Sequence, residues 1–241
     1  MIFESMRRRI VIDHRFCGPP ASGNGGYVCG QVAGGIDGAA EVTLQRPPPL
    51  DTPLVLESTN NSDIRLSDGS GTIADARPSA LTLTAPYRPS FAEAQTAMRN
   101  YTGFRHHFYP GCFVCGPDRR NGDGLRIFAG SVPGRKCVAA PWVPHQSLAD
   151  PSGMVKTEFI WAALDCPGYF AVNQDRHRCM LLGRLSAVIT GSVKTGDRFI
   201  VVGWHIGSDG RKHTAGTALY TQSGRHCGTA EAIWIEVAPP E

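Results

Sequence analysis

Two groups of residues in this chain have types and spacings that could do chemistry. The first is Cys112-x-x-Cys115 in "GCFVCG", with His106 and His107 just upstream, a set that offers thiolate and imidazole ligands to a metal or a dithiol to redox exchange. Structural zinc takes four ligands, and a second Cys-x-x-Cys or a His pair at finger spacing is missing, so a thiol-bearing packed loop is the expectation and no metal site is expected. The second is "NGGYVCGQVAGG", in which Gly26, Gly30 and Gly34 recur every fourth residue. On a helix they would form one ridge without side chains. Each glycine costs roughly 1 kcal/mol relative to alanine in a helix interior, so close approach of another backbone, or of a ligand such as a thioester lying on the helix start, is the expected return. Asn24, directly before Gly25-Gly26, is an ordinary helix N-cap.

Other reactive patterns are missing. There is no Gly-x-Ser-x-Gly elbow, "GNGG" is not followed by Lys-Ser or Lys-Thr, and no GxGxxG follows a strand. A formal charge of +3 over 241 residues falls short of a nucleic-acid footprint, so no nucleic-acid partner is expected. Arg7 to Arg9 precede a strand-like "IVI", and Arg119-Arg120 lie in a polar loop; both read as solvated charge, with the phosphates of a nucleotide-bearing substrate as the alternative. No apolar run approaches the ~20 residues of a membrane span, and the first residues lack the pattern of a signal peptide, so a cytoplasmic protein with no membrane partner is expected. The eight cysteines then read as thiols.

The elements that must position these residues repeat. A helical segment at about 24–36 is followed by a strand "AAEVTLQR", a Pro-rich turn, a strand "LVLEST" and a hairpin turning at "SDGSG". A helical segment at about 153–166 is followed by "GRLSAVITG", "SVKTGD", "RFIVVGWHIG" and a hairpin turning at "TQSGRHCG". In the second helix Val155, Phe159, Ala162, Ala163 and Cys166 share a face, and Pro167-Gly168 is expected to stop it. Between the halves, "SFAEAQTAMRN" reads as a short connector helix with Ser90 and Glu93 as a capping box. Two repeats of one helix plus an antiparallel sheet predict an α+β fold whose sheets run on into each other.

With these segments in view, the chain resembles the hotdog-fold acyl-CoA thioesterases in their double-hotdog form. "GNGGYVCGQVAGG" is similar to the helix start of the thioesterase II group, "ALYTQSGRHCGTAEAIWIE" to its last hairpin, and "GCFVCGPDRRNGDGLRIFAG" resembles the entry segment of phenylacetate-type hotdog thioesterases. The resemblance implies a double hotdog with an N-terminal repeat over 1–100 and a C-terminal repeat over 101–241. It implies hydrolysis of an acyl-CoA to acid and free coenzyme A, with no cofactor beyond the coenzyme A of the substrate, and it leaves a homo-oligomer open. Asp165 in "ALDCPG" is implied as the base or nucleophile. Asn24 with Gly25, Gly26 and Tyr27 would hold the thioester and its oxyanion. Glu231 stands where the group has Gln, and Ser186 is nearest to its hydroxyl position; either would orient the water. The Glu231 departure keeps a non-catalytic acyl or acyl-CoA binding protein as the alternative. Glu158, two turns before Asp165, reads as helix support. A hotdog dehydratase or hydratase ranks last, because His106, His107, His145, His177, His205, His213 and His226 lie away from both helical segments in sequence.

Overall fold

A computed structural model describes residues 7–59, 62–174 and 176–240. Strands β1 (Arg7–Val11), β2 (Ala40–Leu44), β3 (Pro53–Ser58), β4 (Ile64–Asp68) and β5 (Gly71–Pro78) accompany helix α1 (Gly25–Ala33). After helix α2 (Phe91–Met98) come β6 (Gly130–Ser131), β7 (Val138–Trp142), helices α3 (Thr157–Ala163) and α4 (Cys166–Val172), and then β8 (Met180–Ile189), β9 (Phe199–Asp209), β10 (Lys212–Thr221) and β11 (His226–Glu236). These strands form an 11-stranded sheet in the order β1-β3-β4-β5-β2-β8-β11-β10-β9-β7-β6. Outward from the central β2–β8 pair, the order β2-β5-β4-β3-β1 in the first half is matched by β8-β11-β10-β9-β7 in the second. The seam is antiparallel, with Ala40 opposite Ala187 and Val42 opposite Leu185.

Period-two alternation decides which face is buried. Val42, Leu54, Leu56, Leu66, Leu185, Ala187, Ala230 and Ala232 turn inward against the helices and are almost completely buried. In β9 the run Phe199-Ile200-Val201-Val202 is buried on both faces. Phe199 and Val201 join the main core, whereas Ile200 and Val202 pack with Ala94 and Ala97 of α2 on the opposite side. Ser90 and Glu93 form the expected capping box at the start of α2. That helix packs on β6, β7 and β9, so the connector sides with the second half of the sheet.

The glycine ridge is accounted for by the crossing of α1 and α3. A Cβ on Gly30 would stand 2.6 Å from the Glu158 Cα, and one on Gly26 would collide with the side chain of Asp165. Gly34 differs: it is the C-cap of α1, and an added Cβ would meet only ordinary contacts. The second helical segment also differs from expectation. It breaks at Leu164 and Asp165, where Asp165 adopts φ −85°, ψ −80°, and a new helix starts at Cys166. Pro167 therefore opens α4 instead of stopping α3, because a proline in a first turn forfeits no helical hydrogen bond.

These contacts separate two otherwise identical substitutions. Gly30→Ala is expected to lower stability by about 1–3 kcal/mol through overpacking against Glu158. Gly34→Ala should be neutral or stabilising by about 0.4–1 kcal/mol. Urea unfolding of both variants beside the parent checks the pair.

Candidate active site

The site begins at the first turn of α1. Asn24 has extended backbone, and its Oδ1 accepts the Tyr27 N–H at 2.9 Å, which makes it the N-cap. Phe16 stacks on the Tyr27 ring, Phe113 meets it edge-on and Phe159 lies tilted against it, and together they hold this turn against the core. The break between α3 and α4 brings Asp165 to the same place. Its Oδ2 accepts the Gly26 N–H at 2.9 Å and the Asn24 side-chain amide at 3.1 Å. Its Oδ1 is buried without a partner among the described residues. Asp165 is 1% exposed and Asn24 3%. A carboxylate placed on an α1 amide also gains from the positive end of that helix dipole.

Burial pushes the Asp165 carboxyl up to about 7; the Gly26 amide works against that shift, the Cys112 sulfur adds to it, and Asn24 opposes it. A carboxyl in this range exchanges a proton near neutrality. Asp165 and Asn24 line a cavity of about 70 Å³ with His106, His107, Cys112, Cys115 and Cys166. A wider cavity of about 430 Å³, bordered by Gly25, Leu44, Pro48 and Ile235, shares Pro19, Tyr109, Leu181 and Leu182 with it.

The structure thus brings Asp165, Asn24, Gly25, Gly26 and Tyr27 together. The expected oxyanion donors, however, are engaged: Gly26 N–H is held by Asp165 and Tyr27 N–H by Asn24. Glu231 and Ser186 lie elsewhere. They sit opposite each other on β11 and β8, and their sequence neighbours Ala230, Ala232, Leu185 and Ala187 are the ones that face the helices. Alternation puts Glu231 and Ser186 on the other face of the sheet, where Ser186 Oγ donates to Glu41 at 3.3 Å. Neither can orient a water at Asp165. Glu158 lies beside Gly30, away from the cavity.

The cysteines and histidines enter in a way their spacing concealed. His106 and His107, distant from both helices in sequence, border the same cavity as Asp165. The His107 Nδ1 accepts the Tyr109 N–H at 3.0 Å, and its Nε2 is 3.3 Å from Cys115 Sγ. Burial holds the His107 imidazole below its ordinary pKa. Cys166, read only as a core position, stands with its Sγ 3.9 Å from that of Cys112. Its place directly after Asp165 was the available signal, since a residue beside the site's acid must pass close to the site. Arg119 is structural: Nε donates to Gly111 O at 2.7 Å, Nη1 pairs with Asp123 at 3.0 Å, and Nη2 reaches Cys17 Sγ at 3.0 Å. All eight cysteines are free thiols, as expected.

No family model matches this sequence, and no curated protein matches it. Solved structures do. The tesB protein of Mycobacterium avium subsp. paratuberculosis is 12% identical, with a TM-score of 0.62 over 96% of this chain and 93% of that one. A candidate thioesterase from Novosphingobium aromaticivorans is 12% identical, with a TM-score of 0.63 over 96% of each chain. A protein of unknown function with a hot dog fold from Alicyclobacillus acidocaldarius is 10% identical, with a TM-score of 0.55 over 100% of this chain and 96% of that one. At such identities the likeness establishes the fold, and this chain has a hotdog fold. Among the described residues no helix is long and apolar enough to cross a membrane.

The Asn24 contacts give a graded expectation. Asn24→Ala loses the cap and one donor to Asp165, a cost of about 0.5–2 kcal/mol from the cap alone. Asp is as good a cap as Asn, yet Asn24→Asp sets a second carboxyl against Asp165. Asn24→Asp is therefore expected to unfold at lower denaturant than the parent at neutral pH and to recover towards it as the pH falls to 5. Urea midpoints at the two pH values measure this.

Proposed function

We propose that this protein is an acyl-CoA thioesterase built as a double hotdog, one repeat ending at β5 and the other running from α2 to β11. The matched strand order of the two halves supports the double form, and the packing of α2 on β6, β7 and β9 supports a division before Phe91 in place of one at residue 100. The observation that carries the activity is the Asp165 carboxyl, anchored on the first turn of α1 through Oδ2 while Oδ1 has no partner beside a cavity.

In the proposed reaction a water in the cavity gives a proton to Asp165 Oδ1 as its oxygen attacks the thioester carbonyl carbon. The tetrahedral intermediate collapses with cleavage of the C–S bond. The departing thiolate takes the proton back from Asp165, giving the acid and free coenzyme A. With the Gly26 and Tyr27 amides engaged, the positive end of α1 as a whole is left to steady the oxyanion. The wider cavity along Leu44, Leu182 and Ile235 suits an acyl chain.

A non-catalytic acyl-CoA binder is favoured by one specific feature. The inward side chains of β8 and β11 include Leu182, Leu185, Ala230 and Ala232, and the polar group these strands bring to the cavity is the Trp234 indole N–H, so among the described residues they offer no side-chain hydroxyl or amide to hold the water. Thiol release from acyl-CoAs of graded chain length, run beside a binding titration, separates the two. Hydrolysis that falls by about 10²-fold or more in Asp165→Asn, with binding retained, is the expected result. Binding without release in the parent protein would replace the enzyme with a carrier.

A further inference from the structure

The thioesterase reading leaves the three buried thiols at the cavity unused. Cys112, Cys115 and Cys166 have their sulfur atoms all within 4.8 Å of one another, and Cys112 and Cys166 are 3.9 Å apart. Three thiolates bound to one tetrahedral ion at about 2.3 Å stand about 3.8 Å from each other, close to the separation of Cys112 and Cys166, with the Cys115 sulfur within 4.8 Å of both. We propose that Cys112, Cys115 and Cys166 form a three-thiolate site for Zn²⁺ whose fourth position opens onto the cavity bordered by Asp165. This departs from the expectation of no metal, which rested on the Cys-x-x-Cys standing alone. The third ligand arrives from a segment 54 residues beyond Cys112.

The surroundings of the thiols are those of a ligand set. The loop folds back at Cys112, with Gly116 N–H donating to Cys112 O at 2.9 Å. Any side chain at Gly116 would run into the backbone of Pro110 and Cys112, so the tight turn that presents both sulfurs on one side depends on glycine. Around the sulfurs stand N–H donors that would temper the charge of three thiolates. Asn24 Nδ2 lies 3.9 Å from both Cys112 Sγ and Cys166 Sγ. Because His107 Nδ1 accepts the Tyr109 amide, the neutral ring carries its proton on Nε2, where it donates to Cys115 Sγ. That makes His107 an outer partner of the site and not a fourth ligand. Soft thiolates select zinc over magnesium or calcium. The cavity, at about 70 Å³, has room for a water on the ion.

The site stands whether the protein hydrolyses acyl-CoA or only binds it, so its test does not use activity. The full chain is produced in zinc-supplemented medium, purified without a histidine tag or chelator, and its metal content measured by mass spectrometry. About one zinc per chain is expected. Replacement of the zinc by Co²⁺ should give an intense thiolate-to-cobalt charge-transfer band with the d–d pattern of a tetrahedral ion. Cys166→Ser should lose the band or weaken zinc retention at least tenfold against a competing chelator, while Cys137→Ser, remote from the site, should retain both. If Cys166→Ser fails to fold, the cobalt spectrum of the parent protein still decides. Folded parent protein that holds less than about a tenth of an equivalent of zinc and shows no cobalt–thiolate band overturns the proposal. So does peptide mapping that finds two of the three cysteines joined as a disulfide in protein purified without oxidant.

Discussion

The structure depends on how closely α1 crosses α3. Two backbones can approach within side-chain distance only where one of them has no Cβ, and Gly26 and Gly30 supply that surface against Asp165 and Glu158. The crossing does more than fill space. It sets the first turn of α1, with its inward-facing amide, against the break that ends α3, and so a buried carboxyl finds N–H donors instead of bare hydrocarbon. A buried carboxylate lacking such partners would cost several kcal/mol. The glycines that weaken α1 as an isolated helix thus make the site acid tolerable in the fold.

The sheet has a complementary role. It supplies an apolar inner wall at the seam, where Val42 faces Leu185, while charge is kept on the opposite side around Glu41, Arg77 and Arg184. Several polar groups of the site come from loops and helix ends: Asn24 before α1, His107 and the two cysteines of the 110–116 loop, and Asp165 between α3 and α4. The site can therefore change its chemistry through those segments without disturbing the ladder of strands.

Much of this organisation was legible in the sequence because it rests on local signals. The glycine spacing, the Asn24 cap, the Ser90–Glu93 box and the Gly-centred hairpins are each decided within a few residues. The resemblance to hotdog thioesterases put Asp165, Asn24 and Gly26 in one site, but as groups acting on water and thioester and not as partners of each other, and it put Glu231 and Ser186 there although they lie on the other face of the sheet. In a strand, one residue of register moves a side chain to the other face, so a motif aligned by order alone cannot say which side it serves. The break at Leu164 and Asp165 escaped for a related reason. Pro167 reads equally well as the end of one helix or the start of the next, and only the tertiary position of Asp165 distinguishes them. The meeting of Cys166 with Cys112 is a long-range contact with no local signature.

The matched halves carry a further consequence in their asymmetry. The two central helical segments occupy corresponding places, yet the carboxyl stands at the end of α3, while α1 from Gly25 to Ala33 has no acidic residue and contributes its amides. Two identical subunits related by a twofold axis would have to give each helix both roles and would build the same centre twice. A single chain is free of that symmetry. The acid comes from one half and the amides that hold it from the other, so a substitution in either reaches a single copy of the site.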